Sequence, residues 1–507
     1  MALPGLKKDG SWDLPERLNM AAQVLHGADD RLAILDLSDG QSRGVSRGEL
    51  LAQTETLARG LQERGVARGD RVGVLLGQGA ACVASHLAIW WLGAISVPLF
   101  KLFKRDALAS RISDAGLGLV LTDAEGAGLL GDLAKPLMVS EVSRNGPALP
   151  IAQTGPDDPA ILIYTSGTTG APKGALHGHR LLTGHLPGVV LSHDHLGQPG
   201  DCLWTPADWA WIGGLFDVAL PGLALGVPVV AARLDKFTPE GAAQVIAAGD
   251  VRNVFFPPTA LRMLKAADVS LPGLRSVASG GEPLGAEMLD WGRQTLGVTI
   301  NEFYGQTECN MIVSSCAADF PARPGAMGRP VPGHEVEVID ANGQPAGAEG
   351  DIAVRRSSAS MMLRYWNKPQ ATQDKFRGDW MLTGDRGQRD RDYIRFVGRE
   401  DDVITSAGYR IGPAEIEDCL LTHPAVATVG VVGKPDALRT EIVKAYVVLK
   451  PGIDATAKTL QDWVRDRLTS YAFPREIAFV DALPMTVTGK VIRKALKARA
   501  ATELEEI

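Results

Sequence analysis

The chain has 507 residues with a formal net charge of −7, and 45% of its residues are hydrophobic while 22% are charged. A chain of this length exceeds the size at which one hydrophobic core stays compact, so the sequence predicts two or more domains. The ordinary composition excludes a disordered or fibrous protein. The negative charge argues against a nucleic-acid-binding protein, which needs broad positive surfaces.

The cysteine pattern and the hydrophobic segments indicate the cellular compartment in which the protein is expected. The five cysteines are Cys82, Cys202, Cys309, Cys316 and Cys419. They are scattered, with neither a metal-binding spacing nor a dense disulfide framework, so we expect a reducing compartment, the cytoplasm. The first residues lack the apolar core of a signal peptide. The nearest approach to a membrane span, at 80–98, is broken by His86 and Gly93 and is more typical of a buried helix followed by a strand.

The first 330 residues alternate helical patterns with short apolar segments. A helix is predicted over 49–64, where Leu50, Leu57 and Leu61 recur at near-helical spacing before Gly65. Further helices are predicted at 80–92 and 239–248. Strands are predicted at 71–76, 95–99, 119–122, 160–164, 229–232 and 254–256. This alternation favours an α/β fold with parallel strands.

The pattern changes near residue 335. Short strands at 336–340, 351–355 and 393–397, separated by turn-rich segments, predict a small β-barrel-like subdomain. The charged run 399–402 then precedes a compact α+β region. There, helices are predicted at 413–422, 459–468 and 490–499, and strands at 426–432 and 443–449. We therefore predict a large N-terminal domain, residues 1–400, followed by a small mobile C-terminal domain, residues 401–507.

One loop carries an unusual density of glycines and hydroxyl groups. It follows the apolar segment 160–164 and runs Thr165, Ser166, Gly167, Thr168, Thr169, Gly170, Ala171, Pro172, Lys173, Gly174. Glycines let backbone N–H groups approach an anion, hydroxyls donate further hydrogen bonds, and lysine neutralises charge, so the loop predicts phosphate binding. It is not a P-loop of the Walker A type, because Gly174 follows Lys173 where that motif has Ser or Thr.

Further motifs follow the loop in a fixed order. They are Ser279-Gly280-Gly281-Glu282-Pro283, the run Glu302 to Glu308, Thr383-Gly384-Asp385, Gly398 to Asp402, Gly408 to Gly412 and Pro484 to Lys490. Each alone is more often a turn or a solvated surface segment than a site. Together with the loop, they resemble the motif series of the adenylate-forming superfamily, which contains acyl-CoA synthetases, luciferases and peptide-synthetase adenylation domains. The resemblance extends over roughly residues 89–496.

The resemblance implies ATP, Mg²⁺ and coenzyme A as cofactors and substrates. Thr165 and Lys173 would act on the β- and γ-phosphates, Glu308 would bind Mg²⁺, and Asp385 and Arg399 would contact the ribose. The adenine and α-phosphate walls would be Gly281, Glu282, Pro283, Glu302, Phe303, Tyr304, Gly305, Gln306 and Thr307. Attack of a carboxylate on the α-phosphorus of ATP joins two anions, so positive charge and positioning are what such a site must supply.

The same resemblance assigns roles to the C-terminal region. Lys490 would bridge the carboxylate and the α-phosphate, and Arg410 would act in the adenylating state. The coenzyme A contacts would be Ala407, Gly408, Tyr409 and Arg439. Asp401 aligns with the hinge of the superfamily, although it is equally well explained as a solvated charge in a linker.

The C-terminal motifs are most similar to those of the medium-chain acyl-CoA synthetases. Trp209, Trp211 and Ile212 align with a wall of the acyl pocket. Gly305 stands where acetyl-CoA synthetases carry a tryptophan, so we expect an acid larger than acetate. Cys309 and Asn310 replace the usual Thr-Gly. The acid is left open among short branched, medium straight, aromatic and sulfur-containing carboxylic acids.

The main hypothesis is therefore an AMP-forming acyl-CoA synthetase that uses a small carboxylic acid, ATP and coenzyme A. Two alternatives stay open. One is an adenylation enzyme that loads a carrier protein, and the other is a catalytically silent nucleotide-binding protein. We expect no nucleic acid among the partners and no membrane span, and a homodimer is one assembly that the sequence allows.

Overall fold

The computed structural model describes most of the 507-residue chain. The described residues are 3–27, 29–38, 41–142, 146–165, 172–234, 236–347, 349–399, 402–406, 409–436, 439–468, 473–486 and 490–503. They form three β-sheets, of which two lie in the N-terminal part and one in the C-terminal part. The α/β fold class is confirmed.

The first sheet has seven strands. In sheet order they are Arg364–Tyr365, Gly174–Gly178, Pro159–Tyr164, Ile95–Pro98, Arg71–Leu75, Leu119–Thr122 and Lys135–Met138. The strands from Pro159–Tyr164 to Lys135–Met138 pair in parallel, whereas Gly174–Gly178 folds back antiparallel. The connecting helices are Ala80–Trp91, Arg105–Ala115 and Ala124–Leu130. The phosphate loop thus lies between two paired strands of this sheet.

The second sheet begins with a mostly parallel part. In sheet order its strands are Arg43–Ser46, Leu32–Asp36, Val229–Ala231, Leu203–Trp204, Asn253–Phe255, Ser276–Gly280 and Ile300–Gln306. Helix Arg47–Glu63 follows the first of these, and Ser46 caps it because Glu49 and Ser46 exchange side-chain-to-backbone hydrogen bonds. Helices Pro239–Ala248, Pro258–Ala266 and Ala286–Trp291, the last continued by a π-helical turn at Gly292–Leu296, connect the later parallel strands.

The predicted β subdomain continues the second sheet edge to edge. Its strands pair antiparallel in the order Cys309–Ser314, Ala326–Pro330, Tyr393–Arg399, Trp380–Asp390, Glu349–Arg355 and Val336–Ile339, with Phe376–Arg377 beside Trp380–Asp390. Helix Pro369–Asp374 lies between two of them in the chain. The motifs at 302–308 and 383–385 therefore share one continuous sheet.

The third sheet forms the C-terminal unit. Its strands are Ile404–Ser406, Tyr409–Ile411, Val426–Asp436, Thr440–Leu449 and Glu476–Phe479, and its helices are Pro413–Leu421, Ala457–Arg467 and Arg493–Thr502. A separate core, which includes Ile416, Leu420, Val431 and Leu460, holds these elements together. The last helix begins at Arg493, later than the predicted 490, so Lys490 precedes it. The domain boundary near residue 400 stays a prediction.

Three remaining helices pack in the N-terminal core. They are Met20–Leu25, Leu181–Ser192 and a run from Ile212 to Ala224 that contains a π-helical turn at Leu215–Ala219; a short 3-10 turn spans Val139–Glu141. A π turn widens a helix and often occurs at functional sites. Among the described residues, none of the helices combines the length and apolar character needed to cross a bilayer.

Close backbone contacts fix the helix Leu181–Ser192 against the loop that precedes strand Arg364–Tyr365. A Cβ on Gly184 would lie 2.2 Å from Ser360 N. The Gly184 carbonyl accepts a hydrogen bond from His334 Nε2 at 3.0 Å. Ser360 in turn donates to the carbonyl of Asn310 at 2.8 Å, so the contact supports the strand that follows the Glu308 motif.

We predict that Gly184→Ala destabilises the protein by about 3 kcal/mol, because the methyl group forces the helix off the backbone of Ser360. The matched control is Gly128→Ala, in helix Ala124–Leu130, where an added Cβ meets nothing within 4 Å. The control should be neutral or slightly more stable, since alanine favours helix. The midpoint of thermal unfolding measures both, and equal midpoints for the two variants would contradict the prediction.

Candidate active site

The predicted phosphate loop connects two antiparallel strands of the first sheet, Pro159–Tyr164 and Gly174–Gly178. Tyr164 pairs with Gly174 across the hairpin. The N–H of Thr165 donates to the carbonyl of Lys173 at 2.9 Å, so both ends of the loop are held together. Five predicted phosphate-binding residues lie outside the described residues, namely Ser166, Gly167, Thr168, Thr169 and Gly170.

Glu308 lies beside the end of this hairpin. Its side chain is buried and accepts a hydrogen bond from the Tyr365 hydroxyl, and burial raises the pKa of that hydroxyl. The Lys173 ammonium lies 5.3 Å from the Tyr365 ring centroid. Thr307 is fixed because its carbonyl accepts from His177 Nε2 at 2.8 Å. The structure therefore places Lys173 near the ring of Tyr365 and Glu308 at its hydroxyl.

The donor chemistry at Glu308 fits the predicted Mg²⁺. Mg²⁺ takes hard oxygen ligands and usually binds one or two carboxylates together with substrate phosphates. Glu308 offers such an oxygen, because the Tyr365 hydrogen bond uses Oε1 and leaves Oε2 without a hydrogen bond to the described residues. Lys173 is near enough to share the charge of a phosphate chain bound there.

The predicted ribose contacts meet on adjacent strands. Asp385 and Arg399 are paired residues of strands Trp380–Asp390 and Tyr393–Arg399, and Arg399 Nε lies 3.6 Å from Asp385 Oδ1. The Tyr304 hydroxyl donates to Asp385 Oδ2 at 2.5 Å. Burial raises the pKa of Asp385, while Tyr304 and Arg399 act in the opposite direction. The carboxylate is thus oriented by two neighbours at the edge of the cleft.

A lysine that was not predicted from the sequence, Lys375, lies among the charged residues of this site. Lys375 Nζ donates to Gln306 Oε1 at 3.2 Å and to the carbonyls of Leu382 and Thr383 at 3.1 Å each. Gln306 Nε2 also donates to the carbonyl of Thr383, at 3.0 Å. Burial lowers the pKa of Lys375, and the nearby carboxylates of Glu308 and Asp385 oppose that shift. No motif around residue 375 signals this position.

The Gly-Gly-Glu-Pro segment forms another wall. Gly281 has a positive φ of +99°, a conformation that favours glycine. Glu282 is engaged by Arg262 at 2.7 Å. Glu302 lies inside the protein, where burial raises its pKa well above the usual range and its carboxyl accepts from the N–H of Leu284 at 3.3 Å.

Phe303 and Pro283 lie next to the Gly-Gly-Glu-Pro segment or belong to it. The Phe303 ring packs against Phe255 with centroids 5.1 Å apart. Pro283 lies between Glu282 and the Leu284 N–H that bonds to Glu302, and all of these residues flank the strand end at Gly280. Glu302 and Phe303 therefore act in the structure as supports behind the wall.

Lys490 reaches this wall from the C-terminal unit. Its Nζ lies 3.6 Å from the position that a Cβ on Gly281 would occupy. Solvent still reaches the side chain, yet the surrounding cleft desolvates the amine and lowers its pKa. Glu282 and Asp385 oppose that shift, while Arg399 adds to it. The structure thus brings together Gly281, Asp385, Arg399 and Lys490, which lie far apart in the sequence.

The other C-terminal candidates are only partly described. Asp401, Ala407 and Gly408 lie outside the described residues. Tyr409 and Arg410 belong to strand Tyr409–Ile411, of which we describe the backbone at these two positions. Arg439 is half-buried, and its N–H donates to Asp436 Oδ1 at 2.8 Å.

The predicted acyl wall is rich in aromatic residues. Trp209 is 1% exposed. Trp211 is half-buried and meets Phe100 and Phe103 edge to face, at centroid distances of 5.5 and 5.8 Å. Ile212 follows and starts the helical run that contains the π turn.

The structure explains why position 305 is a glycine, for a reason that the sequence motifs do not reveal. A Cβ at this position would lie 2.3 Å from Asn310 Oδ1 and 2.6 Å from Asn310 Cα. The glycine is therefore required by the close approach of strands Ile300–Gln306 and Cys309–Ser314. Its proposed effect on the size of the acyl pocket stays a prediction.

Comparison with known proteins agrees with this arrangement. The family model described as AMP-binding enzyme matches residues 21–366, and the model of the AMP-binding enzyme C-terminal domain matches residues 415–490. The chain is 32% identical to the uncharacterized acyl-CoA ligase YtcI of Bacillus subtilis, over 91% of each protein. It is also 32% identical to the rat mitochondrial acyl-coenzyme A synthetase ACSM2, over 97% of this chain and 93% of that protein.

Solved structures show the same fold along nearly the whole chain. The anthranilate CoA ligase AuaEII, in complex with anthranoyl-AMP, has a TM-score of 0.86 and 27% identity, with 96% of this chain and 98% of that chain covered. The chain therefore belongs to the AMP-binding enzyme family and, within it, groups with the AMP-forming acyl-CoA synthetases.

Proposed function

We propose that this enzyme converts a short- or medium-chain carboxylic acid, or a small branched, aromatic or sulfur-containing one, to its coenzyme A thioester through an acyl-adenylate. The observation that carries the proposal is the position of Lys490. An amine supplied by the C-terminal unit lies against Gly281, beside the Asp385 and Arg399 pair. An acyl-adenylating site needs a positive group where a carboxylate meets the α-phosphate.

The nucleotide would be oriented before the chemistry begins. Asp385 has two acceptor oxygens for the ribose hydroxyls, and its rotamer is held by the Tyr304 hydroxyl at 2.5 Å. Lys173, at the closed end of the hairpin, would neutralise the phosphate chain. Glu308 would hold Mg²⁺, which neutralises phosphate charge when it is bound. Fixing these groups in advance removes much of the entropic barrier of bringing two anions together.

The arrangement in this structure supports the first half-reaction. Lys490 would pair with the substrate carboxylate and the α-phosphate, so that the carboxylate oxygen attacks phosphorus and pyrophosphate leaves. Thioester formation would require the Lys490 segment to withdraw, because coenzyme A must reach the carbonyl carbon of the acyl-adenylate. The hinge at Asp401, the coenzyme A contacts at 407–409 and Arg439, and the role of Arg410 stay predictions from the sequence, as do a homodimer and a cytoplasmic location.

The proposal is tested with a panel of acids, ATP and Mg²⁺, in the presence and absence of coenzyme A. We expect pyrophosphate release and AMP formation with at least one acid, and a thioester when coenzyme A is added. Adenylate without thioester would favour the enzyme that loads a carrier protein. Neither pyrophosphate nor AMP with any acid would contradict the proposed activity and favour a silent nucleotide-binding protein.

We predict that Lys490→Ala slows adenylate formation by a factor on the order of 10²–10³, because the transition state loses its positive partner. Thioester formation from a supplied acyl-adenylate should change by less than about threefold, a difference worth under 1 kcal/mol. Rapid-quench measurement of the two half-reactions separates these effects. Lys494→Ala, on the exposed side of the last helix, is the control. Equal loss of both half-reactions in Lys490→Ala would refute the assignment.

A further inference from the structure

A buried polar cluster lies behind the predicted acyl wall. We call it the tail cluster and define it as Gly213, Asp217, His185 and Asn310. Asp217 is 3% exposed and lies in the π-helical turn of the run that begins at Ile212. Its Oδ1 accepts a hydrogen bond from Asn310 Nδ2 at 2.8 Å.

The tail cluster adjoins both predicted sides of the acyl pocket. Asn310 Oδ1 is the atom that a Cβ on Gly305 would meet at 2.3 Å. Asp217 Oδ2 lies 3.6 Å from the position that a Cβ on Gly213 would occupy, and Gly213 directly follows Trp211 and Ile212 in the chain. The absence of a side chain at Gly213 thus leaves room beside the second carboxyl oxygen of Asp217.

That second oxygen has no assigned partner. Among the described residues, no hydrogen bond is made to Asp217 Oδ2, whereas Oδ1 is engaged by Asn310. A carboxyl oxygen on a side chain that is only 3% exposed is more stable when a water molecule or a ligand group hydrogen-bonds to it.

His185 does not supply the missing partner. Its Nε2 lies 3.9 Å from Asp217 Oδ1, beyond hydrogen-bond distance. Its Nδ1 lies 2.8 Å from the carbonyl of Leu181, which can only accept, so Nδ1 carries the proton and Nε2 is an acceptor. Burial lowers the pKa of His185 to about 4, so the ring is neutral and brings no positive charge to the carboxyl.

The chemistry of the tail cluster favours one kind of ligand group, a hydroxyl. Burial raises the pKa of Asp217 well above its usual range. A protonated carboxyl donates a hydrogen bond and an ionised one accepts it. A hydroxyl group serves both states because it can accept and donate, whereas an alkyl or unsubstituted aryl tail satisfies neither.

We propose that Asp217 is a specificity-determining residue that selects carboxylic acids with a hydroxyl group at the end remote from the carboxylate. The inference rests on the proposed function, because it assigns the distal end of the acyl pocket to the tail cluster. The aromatic side chains of Phe255, Phe303 and Trp211 near the pocket suit an apolar segment between the two polar ends of such an acid.

Matched acid pairs test this inference. The pairs are benzoate with para-hydroxybenzoate, hexanoate with its ω-hydroxy derivative, and butanoate with its ω-hydroxy derivative. The measured quantity is the ratio of kcat/KM for the hydroxy acid to that for the unsubstituted acid, followed by pyrophosphate release. In the wild-type enzyme we expect the ratio to exceed about 10 in at least one pair, as one hydrogen bond to a buried polar group provides.

Two variants connect that ratio to Asp217. Asp217→Leu keeps roughly the size of the side chain but removes both carboxyl oxygens, so it cannot hydrogen-bond a hydroxyl group in either protonation state. We expect it to lower the ratio by roughly 10-fold. Gly213→Ala places a methyl group beside Oδ2 and should also lower the ratio. Asp379→Asn, whose carboxylate is 77% exposed, is the control and should leave the ratio unchanged.

The outcomes separate this inference from the proposed function. A wild-type ratio at or below one in every pair would overturn the role of Asp217, even if some acids are activated. The same holds if the ratio is high but unaffected in both Asp217→Leu and Gly213→Ala. It also holds if Asp217→Leu slows both acids of a pair equally, as the loss of a purely structural carboxyl would. Absence of pyrophosphate release with every acid would instead refute the proposed function itself.

Discussion

The approach of Lys490 to Gly281 is the contact on which the proposed site depends. It joins a C-terminal unit with its own core to the end of a strand in the second sheet. Gly281 has a positive φ and no side chain, so the backbone at this point leaves room for the lysine. The attacking carboxylate and the nucleotide phosphate are both negative, and bringing them together requires positive charge as well as positioning.

Fixed carboxylates and their neighbours organise the rest of the site. Asp385 is oriented by Tyr304 and Arg399, and Glu308 is oriented by Tyr365. Lys375 lies among these groups and holds Gln306 against the strand that carries Asp385. Glu302 and Asp217 are different, because burial raises their pKa values well above the usual range and no cation among the described residues opposes that rise. The first supports the nucleotide wall, and the second is available for a neutral polar group.

Local patterns were enough to predict much of the fold. Apolar runs bounded by turns predicted strands such as 119–122 at their observed bounds, and helix 239–248 was also predicted at its observed bounds. Short, glycine-rich strands such as Gly174–Gly178 were missed, because they carry few of the β-branched and aromatic residues that signal a strand. The edge-to-edge joining of the β subdomain to the second sheet depends on long-range pairing, which periodicity does not encode.

The sequence predicts candidate site residues where they belong to contiguous motifs. Lys173, Glu308, Asp385, Arg399 and Lys490 were all named from the sequence, and the structure brings them to one cleft. Lys375, Tyr365 and Asp217 were missed because each acts through a partner far away in the chain. Gly305 is a different case. The resemblance assigned this position to the acyl pocket, whereas the structure shows that the close approach of the neighbouring strand requires a glycine there.

The central claim is that this structure holds the adenylating arrangement and that thioester formation needs another one. A disulfide can test it, because a Cβ on Gly285 would lie 3.5 Å from Asp418 Cγ, across the two units, and the five native cysteines are buried. The account predicts that oxidised Gly285→Cys/Asp418→Cys enzyme still forms one equivalent of adenylate and pyrophosphate but no thioester, and that reduction restores the thioester. Unimpaired thioester formation by the cross-linked enzyme, with the cross-link verified, would contradict the account.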